Sequence, residues 1–143
     1  MPEVIQPAAL PFLLTGTVSQ GKKLGSKLGF PTANIAYQPG SRAFPPDGVY
    51  AAVATLEGRK YLAILNQGYH PTAPGGMPTV EAHLMDFDWR PLYGQTLVLE
   101  YRHYLRPETA FPHLDALRAQ LDTDRQNALI WAQNNLPDYP YHP

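Results

Sequence analysis

The chain has no cysteine, almost no net charge and no long apolar run, and each lack removes a class of answer. With no cysteine among 143 residues, disulfide frameworks, thiolate zinc sites and cysteine nucleophiles are excluded. The formal net charge is -1, from 11 Lys and Arg against 12 Asp and Glu. So balanced a chain has no surplus of cations for nonspecific binding to nucleic acid or to a membrane surface. No apolar stretch approaches the ~18 residues of a spanning helix. The opening Met1-Pro2-Glu3-Val4-Ile5-Gln6-Pro7 carries neither the basic nor the apolar region of a signal peptide. A cytoplasmic protein is the expectation, and the length suits one domain with one core.

What the chain has in quantity is punctuation: 16 Pro and 11 Gly cut its first two thirds into short β-prone pieces. Residues 12–18 read as a strand, and 32–37 as a short extended segment behind Pro31. Residues 48–55 and 60–65 read as a hairpin about Glu57-Gly58-Arg59. Residues 79–87 alternate, with Glu81, His83, Met85 and Phe87 on one face and Val80, Ala82, Leu84 and Asp86 on the other. Residues 95–105 make a sixth strand with Leu97, Leu99, Tyr101, His103 and Leu105 on one side. Two long loops, 19–29 and 66–78, interrupt the series.

After Pro107 the period changes. Leu114, Leu117, Leu121, Ala128, Trp131 and Ala132 recur at helical spacing and predict one helix over 113–135, then a frayed tail over 137–143. The expectation is a single mainly β domain over 1–143. It is a closed antiparallel barrel, about 12–105, with the helix packed outside, since closure removes edge strands.

Gly16-x4-Gly21-Lys22 nearly spells a phosphate-binding P-loop, but Lys23 stands where Ser or Thr would ligate magnesium and no helix follows. A Gly- and Lys-rich loop can still wrap phosphates, and an ordinary basic turn fits as well. The five histidines, at 70, 83, 103, 113 and 142, lack the spacing of a zinc site; His83 and His103 read as barrel residues. Glu81 is a carboxylate in mid-strand, so it must face water, a partner or a ligand; a solvent-facing strand residue is the simpler account. Thr32 and Asn34, two apart in an extended segment, point the same way. Two neutral oxygens hold Mg²⁺ only where phosphates supply the negative charge; a Thr/Asn turn fits that pattern equally.

Taken together, Gly16-Thr17-Val18, Gly21 and Leu28-Gly29-Phe30-Pro31-Thr32-Ala33-Asn34-Ile35 resemble the signature of the riboflavin kinase family. The likeness continues in order through Gly48-Val49-Tyr50, Asn66-Gln67-Gly68-Tyr69-His70-Pro71-Thr72, residues 80–87, Leu92-Tyr93-Gly94 and Leu105-Arg106-Pro107-Glu108-x-x-Phe111. It implies a six-stranded antiparallel Greek-key barrel with a C-terminal helix. It implies transfer of the ATP γ-phosphate to the terminal ribityl hydroxyl of riboflavin, giving FMN and ADP. By the same resemblance, Thr32 and Asn34 bind Mg²⁺ and the nucleotide phosphates; Gly21, Lys27, Leu84, Asp86 and Tyr93 lie on the nucleotide side; Glu81 is the catalytic base; Arg106, Thr109 and Phe111 belong to the flavin-side loop.

Ser26 departs from the Arg that the family often places there. In many bacteria this domain is fused to an FMN adenylyltransferase; no such module stands in this sequence, so FAD synthesis is not expected of it. The expected partners are riboflavin, FMN, ATP and ADP, with no nucleic acid and no membrane, acting on a monomer. The alternative is a non-catalytic flavin-binding module, a sensor or carrier. A small-barrel nucleic-acid binder is disfavoured by the charge.

Overall fold

The computed structural model describes residues 9–19, 30–38, 40–69 and 78–141. Gly21, Ser26 and Lys27, and most of both expected loops, lie outside the described residues. The elements are β1 (Phe12–Thr17), β2 (Ala33–Ala36), β3 (Gly48–Leu56), β4 (Arg59–Gly68), β5 (Thr79–Leu84), β6 (Thr96–Arg106) and helix α1 (Leu114–Asn135). One antiparallel sheet runs in the order β1-β6-β3-β4-β5-β2. The meander β3-β4-β5, with β6 returning beside β3, is a Greek key. Six strands and one C-terminal helix are thus as expected.

The sheet curls into a half-barrel rather than a fully laddered cylinder. At the seam between β1 and β2, among the described residues, one bridge joins Ser19 to Asn34. The Ser19 N–H donates to the Asn34 carbonyl at 2.7 Å and its Oγ donates at 3.2 Å. Gly16 allows the approach: a Cβ there would sit 2.5 Å from the Ile35 side chain.

Period-2 alternation sorts the apolar residues into two cores. Leu14, Ile35, Tyr50, Leu65, Val80, Leu84, Leu99 and Tyr101 fill the concave interior. Val49, Ala51, Val53, Leu62, Ile64 and Met85 face outward against Ala128, Ala132 and Leu136. β3 is buried on both faces, which is why Gly48–Leu56 reads as a nearly unbroken apolar run.

Three expectations are corrected in detail. β4 runs on through Asn66-Gln67-Gly68, because β5 offers Glu81, Val80 and Thr79 as pairing partners. β5 stops at Leu84; Asp86 turns the chain with φ 56°. β6 keeps Leu97, Leu99 and Tyr101 inside, but register shifts opposite Ala51/Ala52 and Val49/Tyr50 break the alternation. His103 therefore stacks on Trp131 of α1, 5.4 Å between ring centroids, and Leu105 packs in the outer cluster. Beyond the helix, Leu136 is buried in that outer cluster, and Tyr139 and Tyr141, in the 137–143 tail, pack against it.

The helix begins at an N-cap, His113, whose Nδ1 accepts from the Ala116 N–H at 3.1 Å. Its buried side is Asp124, Ala128 and Ala132, while Leu114 is exposed. Asp124 is the unexpected member. Arg106 Nε and Nη2 donate to its two carboxylate oxygens, each at 2.8 Å, and Gln120 Nε2 adds a third bond at 2.9 Å. This bidentate pair fixes the end of β6 to the middle of α1.

Candidate active site

Register alone brings the expected site residues into a row. Asn34 on β2 lies opposite Glu81 on β5, and Glu81 lies opposite Asn66 on β4. Asn66 pairs with Val49 on β3, and Val49 with Arg106 on β6. Partners opposite one another share a face, with Cβ atoms ~5 Å apart. Asn34, Glu81, Asn66, Val49 and Arg106 therefore form one line across the outer face, spanning about 19 Å at the usual strand spacing.

At one end stands the Pro31-Thr32-Ala33-Asn34 segment. Asn34 is buried and Thr32 half-buried, and the alternation turns both outward, away from Ala33 and Ile35 in the interior. His83, two residues from Glu81 on the same face, holds this segment by a 2.8 Å hydrogen bond between Nδ1 and the Pro31 carbonyl. The ring lies 5.5 Å from Phe30 and stacks at 6.1 Å on Trp89. Burial pulls the His83 pKa below 6.5, outweighing the upward effect of the Pro31 bond; Arg125 adds to the lowering. The neutral ring with its proton on Nδ1 is the form that donates to Pro31.

The Tyr93 turn reaches the same end through the backbone. Gly94 N–H donates to the Val18 carbonyl at 2.9 Å, one residue before the Ser19–Asn34 bridge. Tyr93 is exposed there. Leu84 is placed differently: its side chain is sealed in the interior core and its carbonyl accepts from Trp89 Nε1 at 3.3 Å. Asp86 lies exposed in the following turn. It borders a cavity of about 430 Å³ that Tyr61, Trp89 and Tyr139 also line; Thr32, Asn34 and Glu81 are not among its walls.

At the far end, Arg106 is committed to Asp124, and its guanidinium lies 5.7 Å from the centre of the Phe111 ring. Thr109 is exposed, donating to the Pro107 carbonyl at 3.4 Å. The connection 107–112 folds back over β4: the Glu108 carboxylate fills the space where a Cβ on Gly68 would stand. Gly68 shares the face of Asn66, so the loop with Thr109 and Phe111 borders the row.

The sequence alone does not single out Asn66, which stands at the start of the expected 66–78 loop. Its Oδ1 is buried with no hydrogen-bond partner among the described residues, an uncommon state for a buried acceptor. Asp124, the anchor of Arg106, was missed as well, because an acid in a polar helix reads as solvated. Among the described residues no three His, Asp or Glu side chains gather in a metal-binding group. No described helix is long and apolar enough to cross a membrane.

Residues 8–132 match the family described as Flavokinase: Riboflavin kinase. The chain belongs to the riboflavin kinase family. It is 39% identical over 119 residues to the bifunctional riboflavin kinase/FMN adenylyltransferase of Haemophilus influenzae, covering 82% of this chain and 38% of that protein. It is 38% identical over 114 residues to the RNA-binding riboflavin kinase RibR of Bacillus subtilis, covering 78% of this chain and 47% of the relative. The chain therefore spans less than half the length of these curated relatives. The structure of a riboflavin kinase from Trypanosoma brucei shares the fold, with TM-score 0.61 at 23% identity over 90% of this chain and 85% of that one. A Streptococcus pneumoniae structure described as a macrolide-efflux protein aligns at TM-score 0.73 and 29% identity, covering 85% of this chain and 39% of that one.

Proposed function

We propose that this chain transfers the γ-phosphate of ATP to the terminal ribityl hydroxyl of riboflavin, giving FMN and ADP. One observation supports the proposal: Glu81 stands between Asn34 and Asn66, in a row that begins at the Thr32–Asn34 segment and ends at Arg106, beside the 107–112 connection. Membership of the riboflavin kinase family supports the choice of reactants.

Phosphoryl transfer needs alignment and charge compensation more than covalent help from the protein. The Glu81 carboxylate orients the ribityl hydroxyl and takes its proton. The hydroxyl oxygen forms the new bond to the γ-phosphorus, the bond to the bridging oxygen breaks, and ADP leaves. Thr32 and Asn34 are the residues that would hold Mg²⁺, which would offset the phosphate charge; their neutral oxygens suit a cation whose remaining ligands are phosphate and water. His83 keeps the Pro31 carbonyl, and with it the Thr32–Asn34 pair, at a fixed distance from Glu81. Gly21, Lys27 and Tyr93 border the nucleotide in this scheme, with Leu84 contributing backbone and Asp86 the adjoining turn. Thr109 and Phe111 border the flavin, and Arg106 holds that loop in place through Asp124 rather than by reaching out as a free cation.

The test is incubation with riboflavin, ATP and Mg²⁺, with FMN followed by chromatography and ADP by a coupled assay. Formation of both in equal amounts is expected. Flavin binding without ADP would overturn the proposal in favour of a carrier or sensor. Small molecules in the cytoplasm, not nucleic acid, are the proposed ligands, in keeping with the charge of -1. Because one relative is named for RNA binding, labelled RNA at low and physiological salt is the matching control; tight salt-sensitive binding would reopen the point.

A further inference from the structure

Asn66 buries an acceptor oxygen and leaves it without a partner among the described residues. Such a group forgoes its bond to water and gains no bond within the described protein in return. The residue sits beside Glu81 on β4, and two places along the strand the Glu108 carboxylate of the flavin-side loop covers Gly68. Its other neighbour in the row, Val49, has no polar side-chain atom to offer, and beyond it Arg106 is turned to Asp124. Whatever satisfies Oδ1 must therefore come from outside the row and must bring a hydrogen to donate.

That requirement selects among the reactants. Ionised phosphate oxygens are acceptors and have no hydrogen to give. The cation side of Glu81 is the Asn34 side, where the Thr32–Asn34 pair lies; Asn66 is on the other flank, toward Phe111. A chain of alcohol groups running from the flavin-side loop to Glu81 passes Asn66 and offers O–H donors along its length. We infer that Asn66 is a specificity-determining residue. Its Oδ1 accepts a hydrogen bond from a secondary hydroxyl of the ribityl chain, next to the terminal hydroxyl that Glu81 deprotonates, so that the site selects a polyhydroxylated side chain over a plain alkyl one. This rests on the riboflavin kinase reading above.

The experiment compares riboflavin with a flavin whose side chain is a five-carbon alkyl bearing only the terminal hydroxyl. Wild-type protein is expected to prefer riboflavin in kcat/KM. Asn66→Leu, nearly isosteric and without an acceptor, is expected to lower kcat/KM for riboflavin on the order of tenfold. It should leave the alkyl analogue nearly unchanged and the midpoint of thermal unfolding level or raised, since an unpaired buried acceptor has been removed. Asn66→Ala serves as the second variant if the leucine does not pack. Equal losses with both flavins, or a shift in the Mg²⁺ half-saturation instead, would overturn the inference while the kinase reading stands. Wild-type protein that makes no FMN at all would remove the kinase reading, and the inference with it.

Discussion

Asn66 and Gln67 are chain neighbours on β4, and the strand's period sends them to opposite faces with opposite outcomes. Gln67 points into the barrel, where every hydrogen-bonding group it meets is used. It accepts from the Tyr101 hydroxyl at 2.7 Å and donates to the Pro45 carbonyl at 2.8 Å and to Asp47 at 3.2 Å. Tyr37 donates to the same carboxylate and Tyr50 to the Pro46 carbonyl, so the 45–47 crossing is tied to the sheet from beneath. Burial drives the Tyr37 and Tyr101 phenols above their ordinary range and pushes Tyr50 up to about 12; all three stay neutral donors. Asn66, one residue away, has a buried oxygen with no hydrogen-bond partner among the described residues. A network completed within the protein serves the fold; an acceptor left open in a row of polar side chains serves a ligand. The contrast separates structural from functional polarity on a single strand.

Variants on the two faces should therefore fail in different ways. The largest effect belongs to Glu81→Gln, which removes the proton acceptor. Turnover should fall about a thousandfold, worth ~4 kcal/mol of barrier, with riboflavin affinity by fluorescence quenching little changed; parallel losses of rate and affinity would contradict the base role. Asp124→Ala strands Arg106 in a half-buried position and should cost about 3 kcal/mol in chemical denaturation. The double variant Arg106→Met, Asp124→Leu should recover most of that stability, and a double variant as unstable as the single one would mean the ion pair is not the anchor. Gln67→Leu should cost about 2 kcal/mol, by orphaning the Tyr101 hydroxyl and the Pro45 carbonyl. Were Asn66→Leu as damaging to stability as Gln67→Leu, the distinction between the faces would be lost.

Asn34→Ala should raise the Mg²⁺ concentration for half-maximal activity on the order of tenfold, the worth of one lost oxygen donor; an unmoved titration would remove it as a ligand. The smallest effect is that of pH through His83. Its folded pKa lies below 6.5, so between that value and 6.5 the unfolded chain binds a proton the folded chain does not. Stability is complete above 6.5 and is lost as pH falls through the folded pKa. His83→Gln should flatten that acid limb in denaturation midpoints taken from pH 7 to 5, and an identical limb in both proteins would assign it to other groups.

The inventory of elements and most of the polar ends of the site are legible in residue order alone. Alternation and Pro/Gly punctuation marked six strands, and helical spacing marked α1. The Thr32–Asn34 spacing and the mid-strand position of Glu81 were visible as oddities, because local periodicity is written in adjacent residues. Their meaning was not, since a hydroxyl and an amide two apart fit a turn equally well. That Asn34, Glu81 and Asn66, spread over three strands, share one face in one register emerges only when the strands pair. Register is a property of pairing between distant segments, so one strand's own sequence fixes its two faces but not its neighbours. The same holds for Asp124, whose burial depends on Arg106 arriving from 18 residues away. It holds for Asn66 too: an unsatisfied oxygen is defined by what surrounds it, and those surroundings exist only once the chain has folded.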